Sequence, residues 1–229
     1  MSFIKRFISI LIAATGIAGA AFAAAPAPAL LAKVNAAIDA DTARLTAIFK
    51  DIHQNPEIGF TETRTAAIIA RELNQLGFNV TTGIGKTGVV GVFANGPGKT
   101  LWFRADMDAN GGVREATGLA YASTRPQRLA DGSEVDTMHA CGHDAHVTWL
   151  LGLAKAMVAL KSEWSGTLVV YGQPAEEVGL GRRRWSRMDC GIAAFQNRTL
   201  RSPATPHLAP LASFRTAPGC GWPASISST

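Results

Sequence analysis

The sequence predicts an α/β fold, a sheet with helices on its faces, and three observations predict it. Apolar residues recur at helical spacing in three stretches; short apolar runs bounded by Gly, Asn and Pro lie between them; and four carboxylates fall where those runs end. In open α/β sheets, ligand sites collect at the carboxyl ends of the strands, so the last observation also locates the chemistry.

In order along the chain, Leu30 to His53 reads as one helix through Leu30, Val34, Ala37, Ile38, Leu45, Ile48, Phe49 and Ile52, stopped by Asn55-Pro56. His53 is expected to end that helix. Thr63 to Leu76 reads as a second helix with Gly77 as its stop. Phe78 to Thr81 and Gly88 to Ala94 read as strands, Asn95 to Gly98 as a tight turn, and Thr100 to Ala105 as a buried strand. A loop runs from Gly111 through Tyr121, a helix from about Ala145 to Leu160, and a final apolar strand from Thr167 to Tyr171 after Gly166.

The 229 residues are 47% apolar, enough for one well-cored domain. The net charge of +5 does not point to nucleic acid, because residues 182–229 carry seven Arg against the single acid Asp189, which leaves −1 for residues 1–181. Met1 to Ala25 has a basic start (Lys5, Arg6), an apolar run from Phe7 to Ala18 and a small-residue end, the layout of a secretory signal. Cleavage is expected after Ala23, giving a periplasmic or secreted protein with no membrane segment thereafter. Only Cys141 lies in the organised part of the chain, with Cys190 and Cys220 in the tail, so a disulfide framework is not expected.

The chemistry concentrates in MHACGHDAH, Met138 to His146, and QPAEE, Gln173 to Glu177. Thiolate, imidazole and carboxylate are the ligands a borderline-soft cation such as zinc selects. Cys141 and His143 stand one residue apart, so on an extended or turning segment both side chains can reach the same side. Glu176 and Glu177 are neighbours with diverging carboxylates, so one can bind metal while the other takes a proton from water. Asp106 and Asp108 suit support of a ligating His or of the loop. Each residue also has a plainer reading: a small buried cysteine, a capping histidine, a solvated acidic pair. His139 and His146 fit helix entry. A zinc deaminase would need H-x-E with P-C-x-x-C, and neither occurs. A Cys141 nucleophile with a histidine base is a further reading, but it leaves the Glu pair unexplained.

HQNPEIGFTETRTA (53–66), GFNV (77–80), TGVVG (87–91), RADMDA (104–109), TGLAYAS (117–123), MHACGHDAH and QPAEE together resemble one family. It is the metal-dependent amidohydrolases related to hippurate hydrolase, N-acyl-amino-acid amidohydrolases and the plant auxin-conjugate hydrolases. The resemblance spans residues 30–181. It implies the N-terminal part of a zinc-exopeptidase-like α/β/α catalytic domain, an inserted lid domain that this chain lacks, and two divalent metal ions. Zinc suits the ligands best, with manganese, cobalt or nickel as alternatives. It assigns Cys141, His143 and Glu177 as metal ligands and Glu176 as the general base, with a small N-acyl amino acid as substrate and a dimer only for the full-length form.

Two departures stand out. Where the family reads DALPVxE, this chain reads DANGGVRE (108–115), one residue longer and without Pro. From Arg182 the match ends in RRRWSRMDC and a tail rich in Arg, Pro and Ser. Read one base out of phase from the Arg184 codon, the codons of Trp185 to Cys190 admit MVADGL, the family's sequence at that point. The codon spanning Ala204 and Thr205 admits a His near the family's next ligand. Residues 182–229 are therefore expected to be an out-of-frame, disordered tail, and this chain to be inactive or nearly so, a catalytic fragment or a binding remnant.

Overall fold

The computed structural model describes residues 27–129 and 131–178. The expected signal segment and the tail with Cys190, Cys220 and His207 lie outside the described residues. The chain divides into two compact units, Met1–Ala32 and Lys33–Thr229, and the sheet, its helical layer and the candidate site all belong to the second.

The expected first helix is two: α1, Pro28–Asp39, and α2, Thr42–Gln54. Apolar spacing continues across the break, which is why periodicity misses it. The cause is polar. Asp41 is 4% exposed, and its carboxylate accepts from Arg44 Nε at 2.7 Å and from Lys155 Nζ. These partners outweigh the burial that would raise its pKa, and hold it below the usual carboxylate value. After α3, Thr63–Gln75, come β1, Asn79–Ile84, β2, Gly88–Asn95, and β3, Thr100–Asp106. Four two-residue strands follow: β4 (Asn110–Gly111), β5 (Gln127–Arg128), β6 (Glu134–Val135) and β7 (Thr137–Met138). The long helix α4, His143–Ala159, and the strand β8, Gly166–Gln173, complete the described chain. Among the described residues no helix is long and apolar enough to cross a membrane.

The sheet order is β1-β2-β8-β3. β1 and β2 form an antiparallel hairpin, β8 runs antiparallel to β2, and β3 runs parallel to β8. β8 alternates between two apolar clusters, as a strand buried on both faces must. Leu168 and Val170 face Ile52 of α2, Ile69 and Leu73 of α3 and Val147, Leu150 and Leu151 of α4, whereas Val169 and Tyr171 join Val90 and Val92. Each fully buried Leu or Ile of the first cluster contributes about 1.5–3 kcal/mol by leaving water. The expected helical layer is thus present on one face, and no described helix contributes to the second cluster.

The parallel register places Thr100 beside Thr167 and, at the carboxyl ends, Asp106 beside Gln173. The Met107 amide then donates to the Gln173 carbonyl at 2.9 Å. Register alone therefore brings the residues just after β3 against those just after β8. Its fixed point at the other end is Gly166, with φ +127° and the Lys99 carbonyl oxygen overlapping the place where a Cβ would sit. Gly166→Ala is expected to lower stability by about 2–3 kcal/mol, since neither the φ nor the backbone contact yields cheaply. Urea unfolding reads this; a loss under about 0.5 kcal/mol would contradict the register argument.

Candidate metal centre

His143 opens α4 and Cys141 precedes it across Gly142, whose φ of +73° turns the chain sharply into the helix. His143 is 4% exposed, while Cys141 is an exposed free thiol. The His143 Nδ1–H donates to the Asp108 carbonyl at 2.7 Å. This leaves Nε2 carrying the lone pair and aimed at the Glu pair, 3.7 Å from Glu177 Oε1 and 4.0 Å from Glu176 Oε2. Burial disfavours the imidazolium, but the side-chain and main-chain oxygens of Asp108, aided by Asp106, raise the His143 pKa overall.

Glu176 and Glu177 follow β8 in a turn that begins at Ala175, a non-glycine residue with φ +55°. Asp108, fully buried, accepts the Glu176 amide at 3.0 Å on Oδ1 and the Glu177 amide at 2.9 Å on Oδ2. One residue therefore serves both ligand elements, its carbonyl orienting His143 and its carboxylate anchoring the Glu turn. Asp106 differs: Arg104 binds its carboxylate through Nε and Nη2 at 3.0 Å, and its nearest histidine is His146, at 3.7 Å. His146, expected only to enter the helix, stacks on His143 with ring centroids 5.0 Å apart.

The residues fit a divalent cation. His143, Glu176 and Glu177 each offer a ligand atom, all within 4.8 Å of one another, as do Asp106, His143 and His146. Glu177 Oε1 is buried with no hydrogen-bond partner, as a carboxylate reserved for a metal would be. Cys141 stands at the edge of the first group rather than inside it. Hydrogen bonding to Glu177 pushes its thiol pKa up, against a smaller opposing effect of Asn110, whose Nδ2 lies 3.6 Å from Sγ. A divalent cation held by the thiolate would replace that proton.

Reading the sequence missed the residues that brace this centre. His53 does more than end α2: it is buried between Asp144 (Nδ1 to Oδ2, 2.6 Å) and Glu115 (Nε2 to Oε1, 3.1 Å). Glu115 also accepts from Thr117 Oγ1 and from the Ser123 amide, so the longer DANGGVRE loop is pinned from inside the fold. Glu57 caps α3 from outside the helix, accepting the Arg64 amide at 2.8 Å and the Thr65 amide at 2.7 Å. His139 is buried with both ring nitrogens unpartnered, and burial pushes its pKa down to about 4.

A buried imidazole facing paired carboxylates at the ends of two parallel strands is an arrangement that can hold a divalent cation. Comparison with known proteins agrees. Residues 102–199 match the family model described as peptidase family M20/M25/M40. The chain is 46% identical over 131 residues to hippurate hydrolase of Campylobacter jejuni, covering 57% of this chain and 31% of that protein. It is 36% identical over 140 residues to IAA-amino acid hydrolase ILR1-like 5 of Arabidopsis thaliana, covering 61% of this chain and 30% of that one. Among solved structures, the YXEP protein of Bacillus subtilis, a dinuclear metal-binding peptidase of the M20 family, superposes with a TM-score of 0.52 at 32% identity, over 60% of this chain and 36% of that one. The chain is similar to members of the M20 family over this shared segment. It spans about a third of the length of the curated relatives it matches.

Proposed function

We propose that this chain carries the amino-terminal part of an exported, metal-dependent amidohydrolase that splits N-acyl amino acids of the hippurate type into a carboxylate and an amino acid. The observation that carries the reading is Asp108, which holds His143 and the Glu176–Glu177 turn around one point. His143 and Glu177, joined by Cys141, would hold the first of two divalent ions, with zinc favoured by the donor set. The ions supply Lewis-acid chemistry toward the amide carbonyl when bound. Glu176 takes up a proton from water and returns it to the leaving nitrogen, a role its exposed position beside the half-buried Glu177 permits. The relatives support the substrate class: hippurate and auxin conjugates are both N-acyl or N-acyl-like amino acids.

Cysteine hydrolysis is disfavoured, because the partners of the Cys141 thiol are Asn110 and Glu177, and the carboxylate raises its pKa where a nucleophile needs it lowered. The 229-residue chain by itself is expected to bind metal weakly and to turn over little substrate, since it supplies Cys141, His143 and Glu177 but not the family's later histidine ligands. Residues 182–229 are read as the product of a shifted frame, which the nucleotide sequence across codons 178–215 tests directly.

Titration of the purified chain with cobalt tests the centre. A thiolate-to-cobalt absorption band is expected, lost in Cys141→Ser, with affinity lowered about tenfold or more in Glu177→Gln. Absence of the band in the unaltered chain, or its survival in Cys141→Ser, would remove Cys141 from the ligand set. Robust release of benzoate from hippurate would overturn the expectation of low turnover.

A further inference from the structure

We propose that Glu62 is a positioning residue for the metal centre, acting through the Ala175 amide and Thr87 to set the turn that presents Glu176 and Glu177. The inference rests on the reading of those two glutamates as base and ligand, and concerns a residue outside the assigned site.

Glu62 occupies the position immediately before α3, where a side chain ordinarily caps its own helix. It makes no such bond. Glu57 caps the helix instead, through the Arg64 and Thr65 amides, which frees Glu62 to reach across the fold. Its carboxyl is fully buried, with Oε1 accepting the Ala175 amide at 2.8 Å and Oε2 accepting the Thr87 hydroxyl at 2.6 Å. Three successive amides of the turn are thereby divided between two acceptors. Ala175 N–H goes to Glu62, and those of Glu176 and Glu177 go to Asp108. Two buried carboxyls from separate elements thus grip one turn from its two ends.

The grip opposes strain, because Ala175 sits at φ +55°, a conformation that costs an L-residue about 1 kcal/mol or more. Gly59 closes the arrangement from the same segment: a Cβ there would meet Ala175 Cα at 3.1 Å and Ala175 Cβ at 3.2 Å. Without Glu62, Ala175 is free to relax toward negative φ. The carboxylates of Glu176 and Glu177 would then swing away from His143 Nε2.

Amide hydrogen exchange of the 229-residue chain, resolved by NMR, tests this without metal. In Glu62→Leu, exchange at Ala175, Glu176 and Glu177 is expected to quicken tenfold or more while Val169 and Val170 in β8 stay protected. Glu62→Gln, which keeps an oxygen acceptor for the Ala175 amide, is expected to stay within about threefold of the parent. Cobalt affinity should fall about 10–100-fold in Glu62→Leu and recover in Glu62→Gln. Unchanged exchange at 175–177, or equal acceleration throughout β8, would reduce Glu62 to a general stabiliser and overturn the proposal. If Glu62→Leu does not fold, Thr87→Val, lacking only the hydroxyl, should quicken Ala175 exchange several-fold, and no change there would also overturn it. If the unaltered chain binds no cobalt, the metal reading falls, and the exchange result still decides the role of Glu62.

Discussion

Asp108→Ala is expected to destabilise the chain by about 4 kcal/mol, from two charge-assisted hydrogen bonds worth roughly 1.5–3 kcal/mol each. Asp108 is fully buried, so no water replaces the carboxylate for the Glu176 and Glu177 amides it accepts at 3.0 and 2.9 Å. Its Oδ1 also lies 3.5 Å from His143 Nδ1, and that ring keeps only the main-chain carbonyl as a partner. A typical domain is stable by about 5–15 kcal/mol, so the variant sits near the edge of folding. Asp108→Asn retains one acceptor but turns an NH2 group toward the other amide, and should lose about half as much. Urea unfolding measures both; a loss below about 1 kcal/mol for Asp108→Ala would mean that the Glu turn is held by something else.

Much of this structure was legible in the sequence where the signal is local. Strand and helix periods placed α3, α4, β2, β3 and β8 to within a residue or two at most ends, because apolar spacing reports a buried face directly. The site residues were legible as chemical types, and the structure does bring His143, Glu176 and Glu177 together. What could not be read is pairing across distance. The bond from Glu62 to Ala175 spans 113 positions and that from His53 to Asp144 spans 91; nothing local distinguishes such residues from a cap or a helix end. The same holds for Asp41, whose bond with Lys155 across 114 positions accompanies a break in an otherwise continuous apolar period. Cys141 shows the limit on the other side. Spacing allowed it to reach the same side as His143, but its exposure beside the buried His143, across the left-handed turn at Gly142, was not legible.

His53→Leu is expected to cost about 3–5 kcal/mol near neutral pH, the usual consequence of removing one partner from a buried ion pair. Both ring nitrogens face carboxylates, Asp144 at 2.6 Å and Glu115 at 3.1 Å, and the Glu115 side chain is 0% exposed. The ring therefore ties α2, the 110–121 loop and the first turn of α4 together. Burial alone would lower the His53 pKa, but its hydrogen bonds to Asp144 and Glu115 raise it above 6.5. For Glu115, burial is outweighed by Thr117, Ser123 and His53, which hold it below 4.5. A raised histidine stabilises fully below 6.5, and the contribution is lost as pH climbs through the folded value. A lowered carboxylate stabilises above 4.5, and its contribution is lost as pH falls through its own folded value. The cluster thus supports the fold fully between about 4.5 and 6.5 and weakens on both sides. Comparing urea midpoints of parent and His53→Leu across pH isolates this, because His139 and His143 titrate in both and cancel to first order. The parent should converge on the variant as pH rises above the raised His53 value; a gap that stays constant to alkaline pH would show that His53 acts by packing rather than by charge.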